Sequence, residues 1–166
     1  MITSNINLGK NVSINPSASV NNVSIGDDTK VAGNVKVFGS PSFPLQVGNN
    51  CYFGPNTLVE GHNAQVTIGN HVSFAQNINL MSGSGPNASE VMQRIFPILK
   101  GEVSIGDHTW IGASAVIMPN VSLGKYCVVA ANSFVSKSFP DYSIIGGSPA
   151  KLIRTLTQEE IKKLHE

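Results

Sequence analysis

Histidine is the side chain best suited to move a proton near neutral pH, and this sequence has four of them: His62, His71, His108 and His165. His62 lies in the short polar stretch EGHNAQ, two residues after Glu60. A loop histidine near a carboxylate could act as a general base. No pair of residues has the spacing of a zinc site, and the chain has neither a GxxxxGK[ST] phosphate loop nor a GxSxG elbow. The residue types therefore favour proton transfer and predict no metal site.

A second polar stretch, LMSGSGPNAS, runs from Leu80 to Ser89 and contains no histidine. Its Ser82, Ser84 and Asn87 carry hydrogen-bonding groups that could orient a bound substrate. We predict that this stretch opens a loop insertion over residues 82–101, because a long excursion from a rigid scaffold often carries function.

Both polar stretches interrupt a repeat of six residues, in which each unit opens with an apolar residue. A period of six fits neither a helix nor a simple alternating strand, but it fits a short strand followed by a corner. Three such units make one turn of a triangular prism, so the repeat predicts an all-β fold, a parallel β-helix of about six coils. The opening positions are Leu8, Ile14, Val20, Ile25, Val31, Val37, Val47, Phe53, Val59, Ile68, Phe74, Leu80, Ile105, Ile111, Ile117, Leu123, Val129 and Val135.

The fifth position of each unit is mostly small or apolar and is predicted to face the prism interior. Both cysteines, Cys51 and Cys127, occupy this position in different turns. We therefore predict two buried, reduced, structural thiols, with a single disulfide between them as the alternative.

The insertions follow Val37, Val59 and Leu80, which each open the third unit of a turn. All three insertions should therefore leave the same edge of the prism and build one local surface. The longest contains apolar residues and is predicted to pack against a neighbouring subunit.

The sixth position points outward and holds Trp110, Val116, Val128 and Phe134 in the last turns. We expect these side chains to share one outer surface that is covered by a partner, which predicts a homotrimer. The β-helix domain is predicted over residues 1–140 and a C-terminal cap over residues 141–166. In the cap, Thr157 and Glu160 form the capping-box pattern of a short helix.

Composition excludes several classes of function. The 166 residues carry a formal net charge of +1, which argues against a nucleic-acid or membrane-surface protein. No apolar run approaches the roughly 20 residues of a membrane helix, and the first residues lack the apolar core of a secretion signal. We therefore predict a cytoplasmic protein without a transmembrane segment.

The run IGDHTWIGASAVIMPNVSLG and the later GGSPAK resemble the hexapeptide-repeat acyltransferases, in particular the branch of galactoside, maltose, xenobiotic and serine acetyltransferases. The resemblance covers nearly the whole chain. It implies a left-handed β-helix, a homotrimer and acetyl-CoA as the acyl donor. It also implies an acetyltransferase acting on a sugar or a surface-polysaccharide precursor, with O-acetylation favoured.

The resemblance assigns cofactor contacts residue by residue. Trp110 corresponds to the tryptophan that lines the acyl and pantetheine tunnel. Ala131 and Lys137 correspond to positions that contact the cofactor by backbone and by side chain. Lys151 and Arg154 are placed to meet the adenine and the phosphates, because cations late in the chain would pair with the anionic cofactor.

On the acceptor side, Asn56 corresponds to an asparagine that contacts the acceptor in the sugar-modifying members. Backbone N–H groups at Gly112 or Ala113, in a turn of small residues, are candidates for oxyanion stabilisation.

The chain departs from the family at the general base. The family histidine corresponds here to Ser84–Gly85. One interpretation is that His62 supplies the base, held by Ser84 or Glu60. A second is an amino-sugar N-acetyltransferase that needs no base, because a neutral amine attacks a thioester directly. A third is a non-catalytic scaffold of hexapeptide repeats.

Overall fold

The computed structural model describes residues 4–166 of the chain. Each turn of the chain adds one short strand to each of three parallel sheets, so the three sheets form the sides of a solenoid of about six turns. The predicted fold class, an all-β parallel solenoid with little helix, is confirmed. The left-handed sense of the coil stays an expectation from the resemblance.

Sheets A and C each contain six strands, stacked in the order in which the chain visits them. Sheet A comprises β1 (Ile6–Leu8), β4 (Val23–Ile25), β7 (Leu45–Val47), β10 (Val66–Ile68), β15 (Val103–Ile105) and β18 (Ser122–Leu123). Sheet C comprises β3 (Ser19–Asn21), β6 (Lys36–Gly39), β9 (Leu58–Gly61), β12 (Asn79–Met81), β17 (Val116–Ile117) and β20 (Phe134–Val135).

Sheet B has eight strands, because the C-terminal segment continues it. Its strands are β2 (Ser13–Ile14), β5 (Lys30–Val31), β8 (Tyr52–Phe53), β11 (Ser73–Phe74), β16 (Trp110–Ile111), β19 (Val128–Val129), β21 (Ser143–Gly147) and β22 (Ala150–Thr155). Strand β21 pairs in parallel with β19, so sheet B extends past residue 140, and β22 then folds back antiparallel on β21.

The core runs along the axis of the solenoid, and the repeat accounts for it. All of the opening positions are buried except Leu8 and Ile14, in the first turn. Cys51 and Cys127 are buried free thiols, as predicted, and burial raises the pKa of both. Raised pKa values leave these cysteines as poor nucleophiles, in keeping with a structural role.

Glycine follows the sheet A strand in several turns because the backbone of the next turn lies directly against it. A Cβ on Gly26 would meet the carbonyl carbon of Gly48 at 2.6 Å. After four of these glycines comes an Asn or Asp whose side-chain oxygen accepts a backbone N–H of the turn before it; these residues are Asp27, Asn49, Asn70 and Asp107. Asn49 thus accepts from Asp27, and Asn70 accepts from Asn49. These short side chains tie successive turns together at the A–B corner.

The three insertions leave one edge of the solenoid, as predicted, since β6, β9 and β12 are adjacent strands of sheet C. We call this the C–A edge; it comprises residues 40–44, 62–65 and 82–102. The long insertion rises on a two-stranded stem, β13 (Gly83–Ser84) paired antiparallel with β14 (Leu99–Lys100). Between the stem strands lies a one-turn helix, α1 (Glu90–Gln93), capped by the Ser89 side chain.

The prediction that the outward apolar residues share one surface is wrong. Trp110 pairs in register with Val128 on sheet B, whereas Val116 pairs with Phe134 on sheet C. The reason is geometric, because consecutive units of the repeat lie on different sides of the prism. The apolar pairs therefore occupy two faces.

The short C-terminal helix is confirmed as α2 (Gln158–Lys163). The Thr157 hydroxyl accepts the N–H of Glu160, and the Glu160 carboxylate accepts the N–H of Thr157, which completes the predicted capping box.

Candidate functional site

A buried serine and a carboxylate join two insertions at the C–A edge. The Glu60 carboxylate accepts the backbone N–H of His62 at 2.5 Å and the backbone N–H of Ser82 at 3.1 Å. The Ser82 hydroxyl lies 3.3 Å from the same carboxylate and accepts the N–H of Asn63 at 3.0 Å and of Ala64 at 3.3 Å. The start of the long loop is thereby fixed against the shorter EGHNAQ loop.

Ser82 was expected to contact a substrate, and its position argues for a different role. Its side chain is fully buried and its oxygen is already shared among three partners. Ser82 therefore positions the two loops and has no free surface for an acceptor. Glu60 likewise holds the backbone of His62, not its ring.

His62 itself is exposed at the C–A edge, beside the base of the long loop. Within residues 4–166, no hydrogen bond holds its imidazole, so the ring is free to turn towards a bound molecule. Ser84 lies on the stem strand β13, half-buried, and Asn87 lies exposed three residues further along the same loop. The structure thus brings the expected residues His62, Ser84 and Asn87 to one edge.

The expected acceptor contact Asn56 lies elsewhere, at the corner between sheets B and C. Its side-chain amide accepts from Asn34 at 3.3 Å and donates to Asn77 at 3.2 Å. Asn56 is therefore a rung of an asparagine column that joins three turns. Within one chain it does not meet His62.

Four of the expected cofactor residues lie at three separate places on the chain. Trp110 stands on the outer face of sheet B with 56% of its surface exposed, and Ala131 lies exposed at the nearby B–C corner. Lys137 is exposed after the last strand of sheet C, and Lys151 is exposed on β22. One chain alone does not bring these groups to His62.

Of the two candidates for an oxyanion donor, Gly112 does not fit. Its backbone N–H donates to the Val129 carbonyl at 2.8 Å, as part of the ladder between turns. The N–H of Ala113 has no acceptor among the described residues, so Ala113 is the remaining candidate. The backbone of Gly112 also lies close to that of Ala131, since a Cβ on Gly112 would meet the Ala131 nitrogen at 2.6 Å.

Arg154 is committed to a partner within the chain. Its guanidinium donates to both carboxylate oxygens of Glu160, at 2.7 and 2.9 Å. Contact with a phosphate would require this bidentate pair to open. Lys151 makes no ion pair with any described residue, so it is the freer of the two expected phosphate contacts.

The Arg154–Glu160 pair gives a pH dependence that can be measured. The Arg154 guanidinium and the N–H of Thr157 lower the pKa of Glu160 to about 2, from 4.5. Because the folded-state pKa is lowered, the contribution of this carboxylate is present above pH 4.5 and is lost as the pH falls towards 2. We expect the amide signals of α2 to lose helical character across this window in an NMR titration.

Two variants separate this effect from general acid unfolding. Glu160→Gln should weaken α2 at neutral pH and remove its pH dependence. Glu159→Gln, which alters only an exposed pair with Lys163, should leave the titration unchanged. Identical titrations in the Glu160→Gln variant and the unmodified protein would contradict the assignment.

A column of stacked aromatic rings along the A–B corner was missed by the sequence analysis. His71 stacks on His108 at 4.6 Å between ring centroids, His108 on Tyr126 at 4.8 Å, and Tyr126 on Tyr142 at 5.5 Å. The rings of His165 and Tyr126 make a T-shaped contact with centroids 5.7 Å apart, which brings the residues after α2 against this column. Each stacked residue has a positive φ, so each occupies the same corner position in its turn. The corner position that these residues share was the sequence signal from which the column could have been predicted.

Two negative findings hold for residues 4–166. No helix there is long and apolar enough to cross a membrane. No group of three or more His, Cys, Asp or Glu side chains is arranged to hold a metal ion.

Comparison with known proteins identifies the repeat. The family described as bacterial transferase hexapeptide (six repeats) matches residues 102–137. The chain is 30% identical to the galactoside O-acetyltransferase of Escherichia coli K12 over 125 residues, which is 75% of this chain and 60% of that protein. It is 30% identical to the galactoside O-acetyltransferase of Lactococcus lactis over 122 residues, 69% of this chain and 58% of that protein. The matches thus span about three fifths of each relative.

A solved structure resembles the whole solenoid. A variant of AntD, an N-acyltransferase from Bacillus cereus in complex with dTDP-4-amino-4,6-dideoxyglucose and coenzyme A, superposes with a TM-score of 0.83. It is 22% identical, and the match covers 99% of this chain and 90% of that one, so the likeness concerns the fold. With the six-residue repeat present in every turn of the solenoid, this chain is a hexapeptide-repeat protein, and it is similar in sequence to transferases of that kind.

Proposed function

We propose that this protein is an acetyltransferase that moves an acetyl group from acetyl-CoA to a sugar. The observation that carries the proposal is the C–A edge, where the Glu60–Ser82 contacts fix two loops and leave His62 exposed between them. The similarity to two galactoside O-acetyltransferases supports the same reaction. Loops that are held rigidly on a scaffold can position two substrates for transfer.

In the proposed reaction, a hydroxyl of the acceptor attacks the thioester carbonyl while His62 takes its proton. The C–S bond breaks as the new C–O bond forms, and the thiolate of coenzyme A leaves and is protonated. The N–H of Ala113 is the candidate to stabilise the oxyanion, since the N–H of Gly112 is already engaged. Ser84 and Asn87 would orient the acceptor.

We propose that the active unit is a homotrimer, because Trp110, Lys151 and His62 lie too dispersed on one chain to serve one substrate pair. The long loop carries exposed apolar side chains, with Ile95 71% and Phe96 59% exposed, which favours burial on a neighbouring subunit. Sedimentation equilibrium should give three times the 17.5 kDa chain mass. A monomer at micromolar concentration would contradict this part of the proposal.

The amino-sugar alternative has one observation in its favour. No acid holds the His62 imidazole among the described residues, whereas a strong general base usually has an orienting partner. A neutral amine would need no base. The acceptor class is therefore tested with a methyl galactoside and an amino sugar side by side, with release of free thiol as the readout.

Cofactor binding is tested first, by thermal unfolding with acetyl-CoA. A ligand present at 100 times its Kd stabilises a protein by about 2.7 kcal/mol, so a clear rise in Tm is expected. Trp110→Ala should remove most of that rise. Tyr52→Ala is the matched control, because Tyr52 is also an exposed aromatic side chain on sheet B, two turns below. No rise in Tm and no thiol release with any acceptor would instead support the scaffold.

A further inference from the structure

Sheet A differs from the other two sheets in what it shows to the outside. Its outward side chains form one in-register column of uncharged polar residues: Asn7, Ser24, Gln46, Thr67, Ser104 and Ser122. Sheet B presents Tyr52 and Trp110 in the corresponding column, and sheet C presents Leu58 and Phe134. Only sheet A among the described faces offers an unbroken polar column.

The upper part of this column lies in a cleft of about 370 Å³. Its polar lining is Gln65, Thr67, Glu102, Ser104, Asn120 and Ser122. These residues come in pairs two positions apart, one pair from each of three adjacent turns. Thr67, Ser104 and Ser122 lie on strands of sheet A, where neighbouring turns are about 4.8 Å apart, and the other member of each pair lies two residues earlier, just before its strand. The cleft floor therefore carries six hydrogen-bonding side chains, of which the Gln65 amide also donates to the Pro44 carbonyl and the Ser104 and Ser122 hydroxyls bond each other.

The residue types that line the cleft indicate which ligand it would bind. Glu102 is the one charged residue of the lining, and no lysine, arginine or histidine belongs to it. A carboxylate without a cation repels phosphate, which disfavours the anionic part of a nucleotide or of coenzyme A. The hydroxyls and amides of the lining can both donate and accept hydrogen bonds, which suits a neutral polyhydroxylated molecule. The exposed Glu102 carboxylate could accept from two neighbouring hydroxyls of such a ligand.

The cleft adjoins the C–A edge. Gln65 ends the EGHNAQ loop, and Glu102 is the last residue of the C–A edge before β15 begins. The Asn120 amide also donates to the Lys100 carbonyl, at the foot of the stem. A ligand in the cleft would therefore lie beside the loops that carry His62 and Ser84.

We propose that this sheet A cleft is a saccharide-binding subsite that holds a neutral sugar unit of the acceptor, next to the unit that receives the acetyl group. The inference rests on the proposed function for its role in acceptor choice. The binding itself does not depend on that function, because the cleft residues and the residues assigned to transfer are different. The acceptor class that follows is an oligosaccharide or glycoside.

The test is an NMR titration of the full chain with lactose, following backbone amides. We expect saturable shifts at Thr67, Ser104 and Ser122, and none at the sheet B residues Ser73 and Val128. Thr67→Val keeps the shape and strand preference of the side chain and removes its hydroxyl, so affinity should fall about five- to tenfold. Ser24→Ala is the control, since Ser24 lies in the same column but below the cleft.

Several outcomes would overturn the subsite. These are the absence of saturable shifts, equal affinity in Thr67→Val and the unmodified protein, and saturation by dTDP in place of lactose. Glycerol distinguishes a general polyol effect, and equal shifts with glycerol would also overturn it. If lactose binds as expected while no thiol is released from acetyl-CoA, the subsite stands and the proposed transfer fails. If thiol is released while lactose does not bind, the proposed transfer stands and the subsite fails.

Discussion

Replacing Phe74 with alanine is expected to lower the free energy of unfolding by about 3–5 kcal/mol. Phe74 is fully buried on the solenoid axis and stacks on Phe53, with ring centroids 4.8 Å apart and ring planes within 9° of each other. Alanine would leave a cavity between two turns whose backbones are fixed by hydrogen bonds on three sides. The walls therefore cannot collapse to fill it, which puts the cost at the high end for a core substitution.

The matched control is Phe96→Ala in the long loop, where the same side chain is 59% exposed. This substitution should change the free energy of unfolding by less than about 0.5 kcal/mol in the dissociated chain. Urea unfolding at one fixed protein concentration, low enough for the chain to be dissociated, compares the two variants, since subunit association makes apparent stability depend on concentration. A Phe74→Ala loss no larger than that of Phe96→Ala would show that the axis is not the source of stability.

The sequence was sufficient to predict the solenoid because its core uses one rule throughout. Each opening residue, such as Ile111 or Leu123, fills the same interior position of its unit, so the pattern repeats with the backbone. The common edge of the insertions followed from the same count, since Val37, Val59 and Leu80 are each third in their turn.

The shared outer surface was a wrong prediction that the count itself could have corrected. With three units per turn, only every third unit lies on the same side of the prism. Trp110 and Val116 belong to consecutive units of the repeat, and they therefore lie on different sheets, B and C. The aromatic column at the A–B corner was missed for a related reason. His71 and His108 look like separate turn residues in the sequence, although every third corner stacks on the one below it.

The loops could not be predicted because their contacts are not periodic. That Ser82 would be buried, and that its hydroxyl would accept from Asn63 and Ala64, follows from where one insertion meets another. The use of the Gly112 N–H by Val129, in contrast, follows the repeat, since Ala75 donates to Ile111 in the same way one turn earlier. In a solenoid the period determines the scaffold, and the departures from the period determine the site.

Substituting His62 with alanine is expected to slow acetyl transfer to a methyl galactoside by about 10²–10⁴-fold, the usual contribution of general base catalysis. The change removes the imidazole and leaves the backbone N–H that Glu60 accepts, so the contacts between Glu60, Ser82 and the loop should persist. The loss should therefore fall on kcat, while the rise in Tm with acetyl-CoA is retained. Release of free thiol at saturating acetyl-CoA measures the rate.

His71→Ala is the matched control, because His71 is also exposed but lies at the A–B corner, on a different edge from the insertions. It should leave the transfer rate within about twofold. An amino-sugar acceptor supplies the second comparison, since a neutral amine needs no proton removed before it attacks the thioester. If His62→Ala slows transfer to the galactoside but not to the amino sugar, His62 is the base. If neither rate changes, the base lies elsewhere, and the exposed edge beside Ser84 serves only to hold the acceptor.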